Sequence, residues 1–468
     1  MGGNVSLEIE ERVVADIMDN SEAYENLLVL ADDIGSRLAG TENEVLARDF
    51  LLEMFWRYGL ENVKTESFEH RAWTPVSESL LITEPIDREL ACRCGGLSPS
   101  TPGDGVEAEV VFLDQGDRAE FEKNKDKVRG RIVVIPYYPI ARQLKTPMAA
   151  EYGAAGLLET RNYRGSLQPA RTCAFAKVGA IPVASISKED AEYLKRLESR
   201  KGKLRIRLAL ESRVEVKPSW NVMGDLGGED GGSEHILIGG HYDSWHVGPG
   251  AIDNAAGVVA VLEAARGLAR YSDQLKRRVR FILFGVEESG LVGAWAYTRD
   301  HAEELDEVML MINNDVGGRP SGIGVAGFPD LKSTIDEVAE RVKVAGDDLP
   351  PYRVSVGGPG WGSDHFPFLI QGVPTVGIAT KPVDPEDGLY GHTRGDTPDK
   401  VYELGLTECA AINARLLLHL SNLPDRPTRR KTRAEVEQMI RSHDFMETLE
   451  LLDVWPPEHA LERYFNFE

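Results

Sequence analysis

Residues 235–269 read HILIGGHYDSWHVGPGAIDNAAGVVAVLEAARGLA, and the change of rhythm inside this stretch decides the fold. The run His235–Gly239 is nearly continuous in apolar side chains, as a strand buried on both faces must be. From Ala255 to Ala269 the apolar residues recur at three and four, which predicts a helix. Working outward, Val279–Val286 (VRFILFGV), Val308–Asn313 (VMLMIN) and Thr375–Ala379 (TVGIA) repeat the buried-strand pattern. Helical segments separate several of them. Strands alternating with helices predict an α/β fold, a mostly parallel mixed sheet sandwiched by helices. In such a sheet the ligand site lies beyond the carboxyl ends of the strands.

That expectation selects residues. His241 and Asp243 come directly after the first strand, and Asp253 stands at the mouth of the helix behind it. Glu287 and Glu288 come after the second strand, and Asp315 after the third. Taken singly these are ordinary: an Asp before a helix is usually a cap, and a Glu pair is usually a solvated loop. Taken together they bring several carboxylates to one edge, where they repel one another unless cations neutralise them. Imidazole and carboxylate are suitable zinc ligands. A metal site is therefore expected.

The rest of the chain sets the context. Its 468 residues exceed one small core, so two or three folded units are expected. Hydrophobic content of 42% and charged content of 28% fit a globular protein. A formal net charge of −23 argues against a nucleic-acid partner. Cys92 and Cys94 are separated by one residue, unlike the C-x-x-C of redox or zinc-ribbon sites. The acidic beginning of the chain lacks the pattern of a signal peptide. No window approaches the roughly 20 apolar residues of a membrane span. A cytoplasmic protein without a membrane partner is the expectation.

Residues 7–60 read as two helices flanking the loop Gly35–Thr41. A composition shift near residue 95 opens a smaller α/β module, with strands expected at Val110–Leu113, Arg131–Ile135, Ala155–Glu159 and Ile181–Ala184. Thr146–Ala154 suits a helix, and Ser187 a helix cap. The expected division is a discontinuous catalytic domain at 1–94 and 213–424, an inserted module at 95–212, and a helical extension at 425–468.

The ordered set His241-x-Asp243, Gly250-Ala-Ile-Asp253-Asn254-x-x-Gly257, Glu287-Glu288-x-Gly290-x-x-Gly293, Asn314-Asp315 and His392-Thr393-x-x-Asp396-Thr397 resembles the motifs of the co-catalytic zinc exopeptidases. That family includes leucyl-type zinc aminopeptidases, carboxypeptidase Q and glutamate carboxypeptidase. Ser36-Arg37-Leu38-x-Gly40 resembles its N-terminal part. Gly130–Val134 and Gly153–Gly156 resemble the protease-associated domain inserted in several members.

The resemblance implies the zinc-exopeptidase sheet, which is phosphorylase/hydrolase-like, and two zinc ions. By position, His241 and Asp315 would hold one ion and Glu288 and His392 the other, with Asp253 as bridge. Glu287 would be the general base, Asp243 would orient His241, and Tyr390 could serve the oxyanion or substrate. The activity first implied is an aminopeptidase acting on a peptide substrate; the alternative is a carboxypeptidase or dipeptidase of the carboxypeptidase Q type. Asp243-Ser-Trp245 with Gly248-x-Gly250-Ala is similar to that second branch. A free amine needs carboxylates for its capture and a free carboxylate an Arg or Lys fork, for which Arg161, Arg164 and Arg171 are available. Retention of all five ligands argues against a one-zinc, glutaminyl cyclase-like acyltransferase and against a non-catalytic, receptor-like protein. Ser363-Asp364-His365 has the letters of a nucleophilic set, but sequence neighbours rarely form a triad, so a structural or cleft-lining role is expected. A homodimer is also considered.

Overall fold

In the computed structural model, which describes residues 7–137, 139–342, 352–384 and 390–467, fourteen strands join in one mixed sheet. In chain order they are β1 (Glu61–Glu84), β2 (Arg88–Leu90), β3 (Cys92–Cys94), β4 (Val106–Phe112), β5 (Ile132–Pro136), β6 (Gly156–Thr160) and β7 (Val183–Ile186). Next come β8 (Arg205–Leu226), β9 (His235–His241), β10 (Arg278–Phe284), β11 (Val308–Asn313), β12 (Arg319–Ala326), β13 (Arg353–Gly357) and β14 (Thr375–Lys381).

The four buried strands expected from the sequence are β9, β10, β11 and β14, and they lie parallel in the order β14–β11–β9–β10. Every residue of β9 and β11 is buried, so no alternation of polar and apolar side chains survives in them. The chain passes from β9 to β10 on one side and then to β11 on the other. This switch opens a crevice at the carboxyl end of β9.

The helix Ala256–Ala269 covers one face and packs against Glu403–Ser421 and Leu7–Asp19. Val258, Val259, Val261, Leu262 and Leu268 are fully buried, each stabilising the fold by about 1.5–3 kcal/mol. Gly257 permits the close approach at its N-terminus, because a Cβ there would overlap the Asn314 carbonyl and the Asn254 side chain.

The sequence pattern does not anticipate β1 and β8, of 24 and 22 residues. They form one long antiparallel ribbon, with Phe68 opposite Ser219 and Leu80 opposite Leu208. One end of β8 pairs with β10 and the other with β4, so the ribbon carries the smaller sheet β4–β5–β6–β7–β3 away from the larger. Strand β8 is continuous through the boundary expected between 212 and 213. Residues 74–79 and 211–216, at the middle of the ribbon, are largely exposed, which erases the period-two pattern that marks a half-buried strand.

In the smaller sheet β4 to β7 are parallel, and Ser187 caps the helix Lys188–Lys201 by accepting from Asp190 N at 3.0 Å. Residues 425–468 hold three helices, Arg433–Ser442, Met446–Leu452 and Pro457–Phe465. No helix among the described residues is long and apolar enough to cross a membrane.

The loop Gly35–Thr41 joins Val29–Ile34 to Glu42–Arg57 and is pinned by a buried acid. Glu44 accepts from Gly40 N at 2.5 Å and from Ser219 Oγ, and burial pushes its carboxyl up to about 7. A folded-state pKa above the unfolded one means that the folded state binds more protons in between. The contribution of Glu44 is therefore full below about 4.5 and lost as pH rises to about 7, on the order of 3 kcal/mol. Glu44→Gln is expected to abolish that slope, read as urea midpoints at pH 5 and pH 8. An unchanged slope would clear Glu44 of responsibility.

Candidate metal centre

The candidate ligands other than His392, which lies in a turn, leave a strand end or a helix mouth, as the parallel sheet requires. His241 closes β9, and its ring is 1% exposed. Its Nε2 lies 3.3 Å from Asp253 Oδ1, 3.9 Å from Asp315 Oδ1 and 4.0 Å from Glu287 Oε2. His392 Nε2 lies 2.7 Å from Asp253 Oδ2 and 3.1 Å from Glu288 Oε2. Asp253 thus offers one oxygen to each histidine. Two donor groups result: His241, Glu287 and Asp315 in one, Asp253, Glu288 and His392 in the other. Within each group the donor atoms lie within 4.8 Å of one another.

The surroundings hold this arrangement. Asp243 Oδ1 accepts from Glu287 N at 2.9 Å and Oδ2 from Glu288 N at 3.3 Å, while Oδ1 also stands 3.5 Å from His241 Nδ1. Asp243 therefore orients the imidazole, chiefly through its backbone carbonyl at 3.2 Å from Nδ1, and the backbone of both glutamates through its carboxylate, as a partner behind a ligand should. Asp396 accepts from Ile252 N and Asp253 N. Arg37, fully buried, donates to the carbonyls of Leu30, Gly35, Tyr242, Pro249 and Gly250 and ties the N-terminal loop to the turn before Asp253. Asn254 donates to His241 O and Asn314 O and accepts from Gly257 N and Val316 N. Arg37 and Asp396 stand inside the quoted motifs, yet nothing in their spacing discloses these roles.

Backbone strain also gathers here. Val286 (φ 60°) and His392 (φ 64°) occupy the left-handed region, which is uncommon for residues other than glycine and an outlier for a β-branched one. Val286 O is held by Val292 N at 2.9 Å, and His392 O by Ala170 N at 2.8 Å.

Burial raises the proton affinity of Glu287 well above the usual range; His241 opposes it, and Asp364 and Asp315 add to it. Glu288 is raised by burial and then by Asp253 and Glu287. Burial would raise Asp253 too, but His392 and His241 hold it well below the ordinary carboxylate value. Despite burial, His241 is held well above its ordinary value by Glu287 and the carboxylates of Asp243, Asp253 and Asp315. His392 is pushed down to about 4 by burial and then by Arg171, which makes it a neutral imidazole.

Glu288 Oε1 and His392 Nδ1 are buried without a hydrogen-bond partner. Crowded carboxylates, two imidazoles whose Nε2 atoms face them and the unpaired Glu288 Oε1 fit a pair of divalent cations, which would displace the proton His241 otherwise retains.

Residues between 137 and 175 line one side of the cleft. Tyr137, Arg171, Thr172 and Phe175 line one cavity together with Asp253, Glu287, Glu288, Asp315 and His392. Arg161, Tyr163 and Arg171 line a second beside Asp253 and Asp315. Both guanidinium groups stack on Tyr137, at 4.0 Å for Arg161 and 4.6 Å for Arg171. Arg171 Nη1 donates to the Tyr137 hydroxyl at 3.3 Å, whereas its Nε is buried without an acceptor. Arg142, itself paired with Glu159 in the interior, fixes this segment by donating to Arg171 O at 2.8 Å. Arg164 is exposed instead.

Of the residues selected from sequence, His241, Asp243, Asp253, Glu287, Glu288, Asp315 and His392 meet in this cleft. Tyr390 is held by its carbonyl, which accepts from Thr393 N and Oγ1, and its ring lies 5.3 Å from Lys400 Nζ. Ser363 Oγ accepts from Asn313 Nδ2 at 2.8 Å, an anchoring contact, and Asp364 is buried with neither oxygen partnered.

A parallel α/β sheet bearing two adjoining imidazole–carboxylate groups at its strand ends defines the centre of a metallohydrolase. Residues 221–417 match the family model described as Peptidase family M28. Carboxypeptidase Q of Pongo abelii is 30% identical over 397 residues, covering 81% of this chain and 80% of that protein. The crystal structure of a Peptidase M28 precursor from Shewanella amazonensis SB2B aligns with a TM-score of 0.79 at 25% identity, covering 91% of this chain and 98% of that one. A zinc aminopeptidase from Bacillus subtilis aligns with a TM-score of 0.66 at 25% identity, covering 84% and 93%. The chain belongs to Peptidase family M28 and is a metallopeptidase, a hydrolase. The matched residues do not include the module at 95–212.

Proposed function

We propose that this protein is a zinc-dependent exopeptidase that works at the free carboxyl end of peptides or on dipeptides. This departs from the aminopeptidase activity that the motifs first imply. The observation that carries it is Arg171, which lines the cavity of the candidate ligands and has a buried Nε–H without an acceptor. A planar fork of donors is the group that recognises a carboxylate, and Arg161 adds a second cation on the same side. Similarity to a protein named carboxypeptidase Q supports the same end.

In this reading His241, Asp315, Glu288, His392 and Asp253 would hold two zinc ions. Bound there, the ions supply Lewis-acid polarisation of the scissile carbonyl and lower the pKa of a water towards neutrality. Glu287 takes a proton from that water and returns it to the leaving amine. Asp243 keeps His241 and the Glu287 backbone in register through the contacts given above. Arg171 receives the terminal carboxylate and so sets which peptide bond reaches Glu287.

Arg171→Met is expected to raise KM for peptides with a free carboxyl end about 10–100-fold, the worth of a hydrogen bond to a charged group, with kcat within a few-fold. Amino-blocked, carboxyl-amidated and unblocked di- and tripeptides serve as the panel. Trimming of an amidated peptide from its amino end, with the amino-blocked peptide left intact, would sink the carboxyl-end reading and restore the aminopeptidase.

A further inference from the structure

The segment Arg171–Lys177 belongs to no helix or strand, yet it carries one wall of the cleft. Phe175 meets the ring of Trp361, another lining residue, nearly edge-on with centroids 5.6 Å apart. A wall of irregular backbone needs other groups to hold it, because loops have little ordering of their own. On the inner side Cys173 N donates to Gly96 O at 2.9 Å and Ala176 N to Ser289 O at 2.8 Å, the residue after Glu288. The outer side is held by residues distant in sequence. Arg463 Nη1 donates to Phe175 O at 2.7 Å, and Lys177 Nζ lies 2.5 Å from Asp453 Oδ2. Arg71 Nη1 donates to Ala176 O at 3.1 Å and its Nη2 to Asn466 O at 2.5 Å.

The extension is itself docked. Arg463 Nε donates to Asp453 O at 3.0 Å, which ties the last helix to the turn before it. Tyr464, 1% exposed, packs against Trp295 at 5.4 Å. Trp295 lies on the helix Val292–Asp300, which begins four residues after Glu288. The C-terminal helices therefore pack on the helix that follows the turn touched by the substrate wall.

We infer that the C-terminal extension is a clamp on the substrate wall and that Arg463 is a positioning residue, acting on substrate through the Phe175 carbonyl. The inference rests on the reading of the cleft as the substrate site. Arg463 touches neither the donor groups nor the cavity, so its loss should loosen substrate contact and leave the chemistry intact. Phe175 and Trp361 lose their fixed spacing, and Arg171, four residues away, loses part of its anchorage.

The test uses the full-length, metal-loaded protein on a free dipeptide and a carboxyl-amidated control. Arg463→Ala is expected to raise KM about tenfold with kcat within twofold and zinc content unchanged. Arg463→Lys, which keeps a donor, should recover part of the loss. Arg433→Ala is the control: it removes an ion pair with Glu458 within the C-terminal extension without touching the wall, and should shift Tm but not KM. If Arg463→Ala does not accumulate, Lys177→Met releases the wall from Asp453 on its other side and should raise KM in the same sense. Equal Tm losses in Arg463→Ala and Arg433→Ala with KM unmoved would overturn the clamp and leave the extension as packing alone. A fall in kcat at constant KM would overturn it as well. Wild-type protein inactive on every peptide would instead overturn the proposed function.

Discussion

Glu287→Gln is expected to lower kcat about a thousandfold, within the 10²–10⁴ range that a positioned general base supplies, with KM and zinc content near wild type. The expectation comes from how the two adjacent glutamates are held. Glu288 lies 3.1 Å from His392 Nε2, within a ligand set, whereas Glu287 stands farther off, 4.0 Å from His241 Nε2. The backbone N–H of each is fixed by a different oxygen of Asp243. An amide at 287 keeps the shape and those backbone contacts but cannot accept a proton from water. Glu288→Gln makes the complementary comparison: it should lower zinc content together with kcat. If Glu287→Gln loses zinc while Glu288→Gln keeps it, the two roles are exchanged. Steady-state kinetics with elemental analysis on both variants reads the difference.

The parts of this centre that could be read from sequence are those tied to strand ends. His241, Glu287–Glu288 and Asp315 each succeed a run of buried apolar residues, and parallel strands deliver the residues at their carboxyl ends to one edge. His392 succeeds no such run. Its left-handed backbone and its turn carry no periodicity, so the motif resemblance alone pointed to it. The ribbon of β1 and β8 escaped for the opposite reason: it is long and regular, but its centre is exposed on both faces and no face carries a hydrophobic signature. Arg171 illustrates the limit of composition. Three arginines within eleven positions are equivalent as letters, and only the fold turns Arg161 and Arg171 inward while leaving Arg164 in solvent. The choice of peptide end rests on such residues, which explains why the chemistry was more legible than the specificity.

Strain and charge crowding in the centre have one physical sense together. Left-handed Val286 and His392 and the raised proton affinities of Glu287 and Glu288 are costs to the protein without cations. Cation binding offsets the charge crowding, because it removes the repulsion among the carboxylates. Zinc is therefore expected to contribute to stability as well as to turnover.

Asp253→Asn tests that link with the second of the two largest effects. An amide keeps one oxygen able to ligate and replaces the other with an NH₂ group that cannot. Since Asp253 Oδ1 faces His241 and Oδ2 faces His392, the variant should retain one zinc per chain where two are expected of the wild type. Activity should fall at least a thousandfold, because both donor groups need the shared carboxylate. Stability gives the independent reading. A ligand that binds only the folded state stabilises it by RT ln(1 + [L]/Kd), about 4 kcal/mol at a thousandfold excess over Kd. Chelation should thus lower the Tm of the wild type by several degrees and that of Asp253→Asn by less. A variant that retains two zinc ions and wild-type turnover would show that the ions do not share Asp253.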